Sequence, residues 1–191
     1  EYLQSVGNEP FALWLSFYEP HSPFYFPVEY RGLFRAEDIT LPETAEEDVP
    51  QIPLVFRDLT ERERRGIAAA YYTSIAYLDK SIAIALDALE GAGHWDDTVV
   101  VYLPDHGYLT GRHGRFEKHC FYEDSVKTGM ILRAPGMLPA GERVRALTES
   151  MDIVPTLCAL LGLEPPAGIQ GKSLVPLPKN SRSTVHDEVF S

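Results

Sequence analysis

Residues 98–107, Thr-Val-Val-Val-Tyr-Leu-Pro-Asp-His-Gly, are the stretch from which the fold can best be inferred. The β-branched and aromatic side chains over 98–103 predict a strand. Asp105 and His106 then lie just past the carboxyl end of that strand. In open α/β sheets ligands bind beyond the carboxyl ends of the strands. We therefore expect the loop over 104–120 to carry a metal or anion site.

A long helix is predicted before this strand, over residues 60–91. Thr60 followed by Glu63 is the pattern of a capping box at a helix start. Apolar residues then recur at spacings of three and four, as one face of a helix requires. They are Ile67, Tyr71, Ile75, Leu78, Ile82, Leu86 and Leu89. Gly91 and Gly93 end the pattern.

Three further segments carry patterns of regular structure. Residues 11–17, Phe-Ala-Leu-Trp-Leu-Ser-Phe, form a nearly unbroken apolar run, which predicts a central strand buried on both faces. Residues 130–133 predict another strand before a Pro-Gly turn. Residues 152–161 predict a helix that Asp152 caps.

The order of these elements is that of an α/β fold with a mostly parallel sheet flanked by helices. A Pro-rich stretch over 19–59 predicts a long surface connection, and we expect its acidic run, residues 46–48, to be solvated. A central strand over 11–17 needs neighbours on both sides, and few residues precede it. We therefore expect the fold to be incomplete at its N-terminus.

Composition narrows the function classes. The chain has 191 residues, and 17 Lys and Arg against 28 Asp and Glu give a net charge of -11. This charge repels phosphate backbones, so we expect no nucleic-acid partner, and it suits bound cations. No run approaches the about 18 consecutive apolar residues of a membrane helix. The two cysteines, Cys120 and Cys158, cannot form a disulfide framework.

Four residues have side chains suited to a site for a cation and an anion. Asp105 and His106 offer a carboxylate and an imidazole to a divalent cation, although two ligands do not make a site, and a capping Asp with a turn His is the alternative. Lys118 offers a point charge to a sulfuryl or phosphoryl oxygen, unless it is simply solvated. His21, between two prolines, could donate to a leaving oxygen or bond to the backbone.

A zinc site is the other reading of this region. His106, His113 and His119 lie close together in the sequence, next to Cys120. Their spacings match none of the tight paired motifs that zinc sites use, so we do not expect zinc there.

Taken in order, these motifs resemble the sulfatase family within the alkaline-phosphatase-like superfamily. The matching pieces include PFALWLSFYEPHSPF at 10–24, YLPDHGYLTGRHGRFEKHC at 102–120 and SMDIVPTLCALLGL at 150–163. The resemblance runs from about Pro10 to Leu177. It implies an alkaline-phosphatase-like α/β fold and hydrolysis of sulfuric esters.

The resemblance also implies a role for each candidate residue. Asp105 and His106 would belong to the metal site, with Ca2+ expected ahead of Mn2+ or Zn2+. Lys118 would contact the oxygens of the sulfate ester, and His21 would contact the sulfate or the leaving-group oxygen. His113 would orient the loop that follows the metal-binding turn.

The nucleophile of the family is a formylglycine made within a motif of the form C/S-x-P-x-R. Cys120 is followed by Phe-Tyr-Glu and Cys158 by Ala-Leu-Leu, so neither fits. We therefore expect the formylglycine upstream of this chain, and we expect residues 1–191 to be a partial catalytic domain that also lacks the family's C-terminal subdomain. Alone, this chain should be inactive.

Two alternatives to a sulfatase stay open. One is a phosphonate monoester or phosphodiester hydrolase of the same superfamily, and the other is a noncatalytic fragment or pseudoenzyme. The expected substrate is a small-molecule or carbohydrate sulfate ester. Tyr25, Phe26 and Tyr30 could stack on a sugar or aryl ring, although packing is the role that we expect for them. No sequence feature indicates an oligomeric state or a compartment.

Overall fold

The structure is a computed structural model that describes residues 1–179 and 183–190. Its chain forms two compact units. The first contains residues 1–95 and 108–120, and the second contains residues 96–107 and 121–191. None of the helices in the described part of the chain is both long and apolar enough to cross a membrane.

The first unit is built on a long helix, α3 (Glu61–Gly91), which coincides with the predicted helix over 60–91. The capping box is present, because the Glu63 backbone N–H donates to Thr60 Oγ1 and the Thr60 backbone N–H donates to the Glu63 carboxylate. Two shorter helices precede it, α1 (Tyr2–Val6) and α2 (Leu54–Arg57). The buried residues of α3 are Ala68, Ala69, Thr73, Ser74, Leu78 and Leu89.

The Pro-rich connection packs onto this helix through short 3-10 turns, at Val28–Tyr30, Ala36–Asp38 and Glu46–Gln51. Ile39, between the second and third turns, is buried against Ala68 and Ala69 of α3. The connection is therefore more than a surface loop, since it supplies part of the core of the first unit.

A hairpin completes the first unit. Its strands β2 (Leu109–Thr110) and β3 (Phe116–Glu117) pair antiparallel around a 3-10 turn at Arg112–Gly114. Leu109 and Phe116 are almost fully buried. Phe116 packs against Ile52 and against Phe56, whose ring lies 5.7 Å away. These two apolar side chains fix the hairpin to the rest of the unit.

The strand predicted over 11–17 is wrong for the part of the protein that the structure describes. The segment is assigned no strand, and Trp14 is 86% exposed beside exposed Leu13 and Leu15. A strand requires a partner for its backbone N–H and C=O groups. None of the described strands pairs with this segment, and most of its apolar side chains are exposed, while Phe11 packs edge to face on His94.

The second unit contains a pair of strands, β1 (Val100–Tyr102) and β4 (Ile131–Arg133), inside the predicted ranges 98–103 and 130–133. Its helices are α4 (Glu123–Val126) and α5 (Ile153–Leu161). Further 3-10 turns lie at Ser150–Asp152 and Leu177–Lys179. Apolar side chains from both strands and from α5 surround a small cavity; its lining includes Val101, Leu132, Ile153, Leu157 and Leu174.

Both strand pairs formed by the described residues are antiparallel. The parallel neighbours expected from the element order are not among these strands, because each sheet has only two members. One edge of β1 is thus left without a partner strand in the described chain. The α/β character itself is retained, since α3 precedes β1 and α5 follows β4.

Asp152 does not cap α5 through its side chain, in contrast to the prediction. Its carboxylate is fully buried and accepts from the backbone N–H groups of Glu149 and Lys172, each at 2.8 Å. The imidazole Nε2 of His186 lies 2.9 Å from Oδ2. Burial acts to raise the pKa of Asp152, but the two backbone donors and His186 outweigh it, so the pKa is lowered.

Candidate active site

The structure brings Lys118 and His21 together, although they are 97 positions apart in the sequence. Lys118 Nζ lies 3.1 Å from His21 Nε2, on the surface of the first unit. This contact joins the end of the hairpin to the turn that follows residues 11–17. The two residues that the family resemblance assigns to the sulfate group are therefore neighbours.

The hydrogen bonds determine which nitrogen of His21 carries the proton. Nδ1 lies 2.6 Å from the backbone carbonyl oxygen of Ser22, which can only accept a hydrogen bond, so Nδ1 must donate. Nε2 is then free of a proton on the neutral ring and accepts from the Lys118 ammonium group.

The same carbonyl oxygen holds a tyrosine. Tyr18 Oη donates to the Ser22 carbonyl at 2.9 Å, and the Tyr18 ring lies 5.1 Å from the His21 ring. The His21 backbone N–H donates to the Tyr18 carbonyl at 2.9 Å, which closes a turn between them. Tyr18, His21 and Ser22 thus form a compact local unit that fixes the imidazole.

The hairpin fixes the other partner. Lys118 directly follows β3, whose Phe116 is buried. Arg115, which directly precedes β3, donates to the backbone carbonyl of Gln51 at 2.9 Å and to that of His119 at 3.3 Å. Glu117 has a φ of 72°, which turns the chain sharply just before Lys118. The position of Lys118 is therefore set by backbone and core contacts.

His113 occupies the turn of the hairpin and has a partner that the sequence did not indicate. Its Nδ1 lies 2.8 Å from Asp48 Oδ2. Asp48 is only 8% exposed, in contrast to the solvated acidic run predicted over 46–48. The 3-10 turn at Glu46–Gln51 directs this one carboxylate inward. His113 thus links the connection to the hairpin.

Gly114 is required by this arrangement. Its φ is +64°, and a Cβ atom at this position would overlap the Ile52 side chain. Glycine thus allows the hairpin turn to approach the core of the unit at the point where His113 contacts Asp48.

Asp105 and His106 lie in the second unit, past the end of β1. The His106 backbone N–H donates to Asp105 Oδ1 at 2.9 Å, and His106 Nδ1 donates to the Gly107 carbonyl at 2.7 Å. His106 Nε2 lies 3.6 Å from Asp105 Oδ2, and the Asp105 side chain is 87% exposed. The outward atoms of the pair are thus a carboxylate oxygen and an unprotonated imidazole nitrogen.

The turn that presents this pair is fixed by close backbone packing. The Gly107 N–H donates to the Ser125 carbonyl at 2.7 Å, and a Cβ atom on Gly107 would overlap the Asp124 carbonyl. Ser125 is buried in α4. Any residue other than glycine at this position would displace α4.

Asp105 Oδ2 and His106 Nε2 suit a cation, since both atoms are electron-pair donors. They are only two donors, and Ca2+ takes six to eight. Among residues 1–179 and 183–190, no group of three or more His, Cys, Asp and Glu side chains could hold a metal ion.

The first unit also contains a cluster of three aromatic side chains. Tyr71 and Tyr108 stack with their centroids 4.5 Å apart, and Phe24 contacts both edge to face. Burial, followed by the negative charge of Glu117, raises the pKa of Tyr108 to about 12. The Tyr108 phenol therefore stays neutral throughout the physiological range.

Comparison with known proteins identifies the family. The family model for sulfatases matches residues 1–163. The chain belongs to the sulfatase family. It is 33% identical over 181 residues to a sulfatase of Formosa agariphila, a match that covers 88% of this chain and 36% of that protein. This sulfatase-family chain thus spans well under half the length of that relative.

Two other proteins are similar to this chain. An N-acetylglucosamine-6-O-sulfatase of Bacteroides thetaiotaomicron is 35% identical over 117 residues, covering 61% of this chain and 21% of that protein. Among solved structures, the phosphonate monoester hydrolase of Silicibacter pomeroyi superposes with a TM-score of 0.81 and 27% identity, covering 91% of this chain and 38% of that chain. This likeness agrees with the expected alkaline-phosphatase-like α/β fold.

Proposed function

We propose that this sulfatase-family chain is part of a sulfuric ester hydrolase and binds the sulfate group of the substrate. The observation that carries the proposal is the contact of Lys118 with His21 at 3.1 Å. It places a fixed positive charge beside an imidazole, at the surface and within reach of a small anion. Family membership supports the same function.

In the proposed reaction, Lys118 binds the nonbridging oxygens of the sulfate ester. The ammonium group neutralises negative charge on these oxygens, which holds the sulfur in place for attack and lowers the repulsion of a nucleophile. Because the hairpin holds Lys118 in place before the substrate arrives, little reorganisation is required during the reaction.

His21 is proposed to protonate the leaving-group oxygen. Its Nδ1–H is committed to the Ser22 carbonyl, so only Nε2 can face the substrate. When the sulfate group takes the N–H of Lys118 that now points at Nε2, the imidazole can bind a second proton there. The resulting Nε2–H donates to the leaving oxygen, which is general acid catalysis.

We propose that Asp105 and His106 contribute two ligands to a divalent cation, with Ca2+ as the leading candidate and Mn2+ or Zn2+ as less favoured ones. Their outward carboxylate and imidazole atoms support this role. Once bound, such a cation would polarise the sulfate oxygens. Its remaining ligands would have to come from outside the described residues.

His113 is proposed as a positioning residue for Lys118. Its bond to Asp48 fixes the turn of the hairpin that carries Lys118. We also propose that the chain supplies no nucleophile, since neither Cys120 nor Cys158 lies in a C/S-x-P-x-R motif. The chain alone should then bind sulfate but not hydrolyse the ester.

A second candidate function has its own support. The Silicibacter pomeroyi structure with a TM-score of 0.81 is a phosphonate monoester hydrolase. A phosphonate monoester offers Lys118 an anion of similar size and charge to a sulfate ester. The substrate that we favour remains a small-molecule or carbohydrate sulfate ester, a class that includes the substrate named for the Bacteroides relative.

The test uses 4-nitrophenyl sulfate, a 4-nitrophenyl phosphonate and bis-4-nitrophenyl phosphate side by side, on the complete enzyme that contains this chain. We expect turnover of the sulfate ester to be the fastest, and Lys118→Ala to lower it by about 100- to 1000-fold. Lys127→Ala is the matched control, because Lys127 is an exposed lysine directly after α4. Equal rates for Lys118→Ala and the wild type would reject the proposal, and faster phosphonate turnover would favour the second candidate.

A further inference from the structure

We infer that Tyr71 of α3 is a positioning residue for Lys118, and that it acts through a cluster of aromatic rings that it forms with Phe24 and Tyr108. The inference rests on the proposed sulfate-binding role of Lys118 and adds the residues that hold this side chain beside His21. All five residues belong to the first unit. We call Phe24, Tyr71 and Tyr108 the aromatic cluster.

The first argument is the register of the hairpin. Its strands β2 and β3 pair antiparallel, with Leu109 opposite Glu117 as the last pair before the open end of the hairpin. Tyr108 directly precedes Leu109, and Lys118 directly follows Glu117. Tyr108 and Lys118 therefore lie at the same end of the hairpin, one on each chain segment. A contact that fixes Tyr108 fixes the end of the hairpin from which Lys118 extends.

The second argument is the packing of the aromatic cluster. The Tyr108 ring stacks on the Tyr71 ring, with centroids 4.5 Å apart and an interplanar angle of 15°. The Phe24 ring meets Tyr71 edge to face at 5.8 Å and Tyr108 at 6.0 Å. Stacked and edge-to-face pairs are favourable arrangements of aromatic rings. Tyr71 thus holds the open end of the hairpin on α3.

The third argument is that α3 also holds the segment that carries His21. Phe24 follows His21 by three positions. The backbone carbonyl of the next residue, Tyr25, accepts a hydrogen bond from Ser74 Oγ at 3.4 Å. Ser74 is fully buried on α3, three positions after Tyr71 and hence on the same side of the helix. The helix therefore anchors this segment and the hairpin at neighbouring positions.

A common anchor accounts for the approach of Lys118 Nζ to His21 Nε2, at 3.1 Å and across 97 positions of sequence. Preorganised groups lose their effect when they are displaced, and a misplacement of about 1 Å can lower turnover by about 100-fold. Loss of the Tyr71 ring should therefore lower turnover although this ring is not proposed to touch the substrate.

The test measures kcat/KM for 4-nitrophenyl sulfate on the complete enzyme that contains this chain. Tyr71→Leu removes the ring, and Tyr71→Phe keeps it without the hydroxyl. Tyr77→Leu is the matched control, because Tyr77 of the same helix packs edge to face on Tyr30 at 5.5 Å. Phe24→Leu leaves the stacked pair in place and is a second variant should Tyr71→Leu fail to fold. All are also made in the Lys118→Ala background, and circular dichroism checks the folding of each.

Tyr71→Leu should lower kcat/KM by about 10- to 100-fold when Lys118 is present. In the Lys118→Ala background it should lower kcat/KM by less than about threefold, because a positioning residue has little effect once its target is gone. Phe24→Leu should behave in the same way, with a loss of about 10-fold when Lys118 is present. Tyr71→Phe and Tyr77→Leu should stay within about twofold of the wild type, since both keep the rings of the aromatic cluster.

Two results would refute the positioning role and leave the proposed function standing, provided that Lys118→Ala itself lowers turnover. One is an equal loss for Tyr71→Leu in both backgrounds, which indicates a general structural effect. The other is a wild-type rate for both Tyr71→Leu and Phe24→Leu. If Lys118→Ala hydrolyses the ester as fast as the wild type, the proposed function and this inference both fail.

Discussion

The replacement of Asp152 by alanine tests how the second unit is held together. Asp152 is a fully buried carboxylate with Glu149 N–H, Lys172 N–H and His186 as partners. His186 belongs to the segment over 183–190. Two more bonds attach this segment: Lys172 Nζ donates to the Val185 carbonyl at 2.7 Å, and the Phe190 N–H donates to the Glu149 carboxylate at 3.0 Å.

The expected loss of stability is large. Removal of the Asp152 carboxylate leaves the Glu149 and Lys172 N–H groups without their acceptor, and each buried unsatisfied donor costs about 1–3 kcal/mol. Domains of this size unfold with a free energy of about 5–15 kcal/mol. Asp152→Ala should therefore lower the free energy of unfolding by about 4 kcal/mol, and the midpoint of thermal unfolding by about 10 °C.

Urea denaturation followed by circular dichroism measures this loss, and hydrogen exchange shows where it occurs. The backbone amides over 183–190 should exchange faster in Asp152→Ala. The control is Asp187→Ala, which removes the same charge from an exposed neighbour of His186. If the two variants have equal free energies of unfolding, the reasoning is refuted.

The lowered pKa of Asp152 also sets a pH dependence. A carboxyl group whose pKa falls on folding stabilises the protein above the pKa of the unfolded chain, about 4, and loses this effect as the pH falls further. Wild-type stability should therefore fall below about pH 4 more steeply than that of Asp152→Asn. Parallel acid unfolding curves would contradict this expectation.

Three further predictions concern other parts of the chain. Asp105→Asn in the complete enzyme should weaken Ca2+ binding by at least about 10-fold in a calorimetric titration, because it removes a carboxylate ligand; unchanged affinity would remove Asp105 from the cation site. Tyr108 is stabilising below about pH 10, and this effect should be lost as the pH rises toward 12, since its pKa is raised on folding. The free energy of unfolding of Tyr108→Phe should therefore fall less steeply than that of the wild type as the pH rises from 10 to 12. Ultraviolet titration should show one fewer phenol ionising near pH 12. Gly114→Ala should destabilise the first unit by about 1–3 kcal/mol in urea denaturation, because the added Cβ overlaps Ile52; Gly93→Ala, which has a similar positive φ but open space, is the control that separates overlap from backbone strain.

Elements that depend on local interactions were predictable from the sequence. The helix over 61–91 follows from its own periodicity and from the Thr60 capping box, both of which lie within the segment itself. The strand core at 100–102 follows from β-branched residues. The family motifs also identified Lys118 and His21, which the structure brings into contact.

Features that depend on distant partners were not predictable in the same way. The segment over 11–17 has the composition of a buried strand, but a strand forms only where another one can pair with it, and composition carries no information on that. In the sequence, Asp48 cannot be distinguished from its acidic neighbours Glu46 and Glu47. In the structure it differs from them by its contact with the distant His113. The signal for a buried Asp48 was the three-residue period of a short 3-10 turn, which directs one of three consecutive acidic side chains inward.

The buried pair of Asp152 with His186 was missed for a related reason. Asp152 stands where a helix cap is expected, and this local reading accounted for it fully. His186 is 34 positions away, in a segment without any periodic pattern. A carboxylate that bonds to several backbone groups at once can be recognised only from the folded structure, where these groups lie close together.

The shared acceptor at Ser22 has a consequence for how this region tolerates sequence change. The atom that holds both Tyr18 and His21 belongs to the main chain, so replacing the serine side chain does not delete it. Selection can therefore alter the residue at position 22 while the ring and the imidazole keep their common anchor. Conversely, any shift of that single peptide group moves both side chains, so the orientations of the His21 imidazole and the Tyr18 ring would change together.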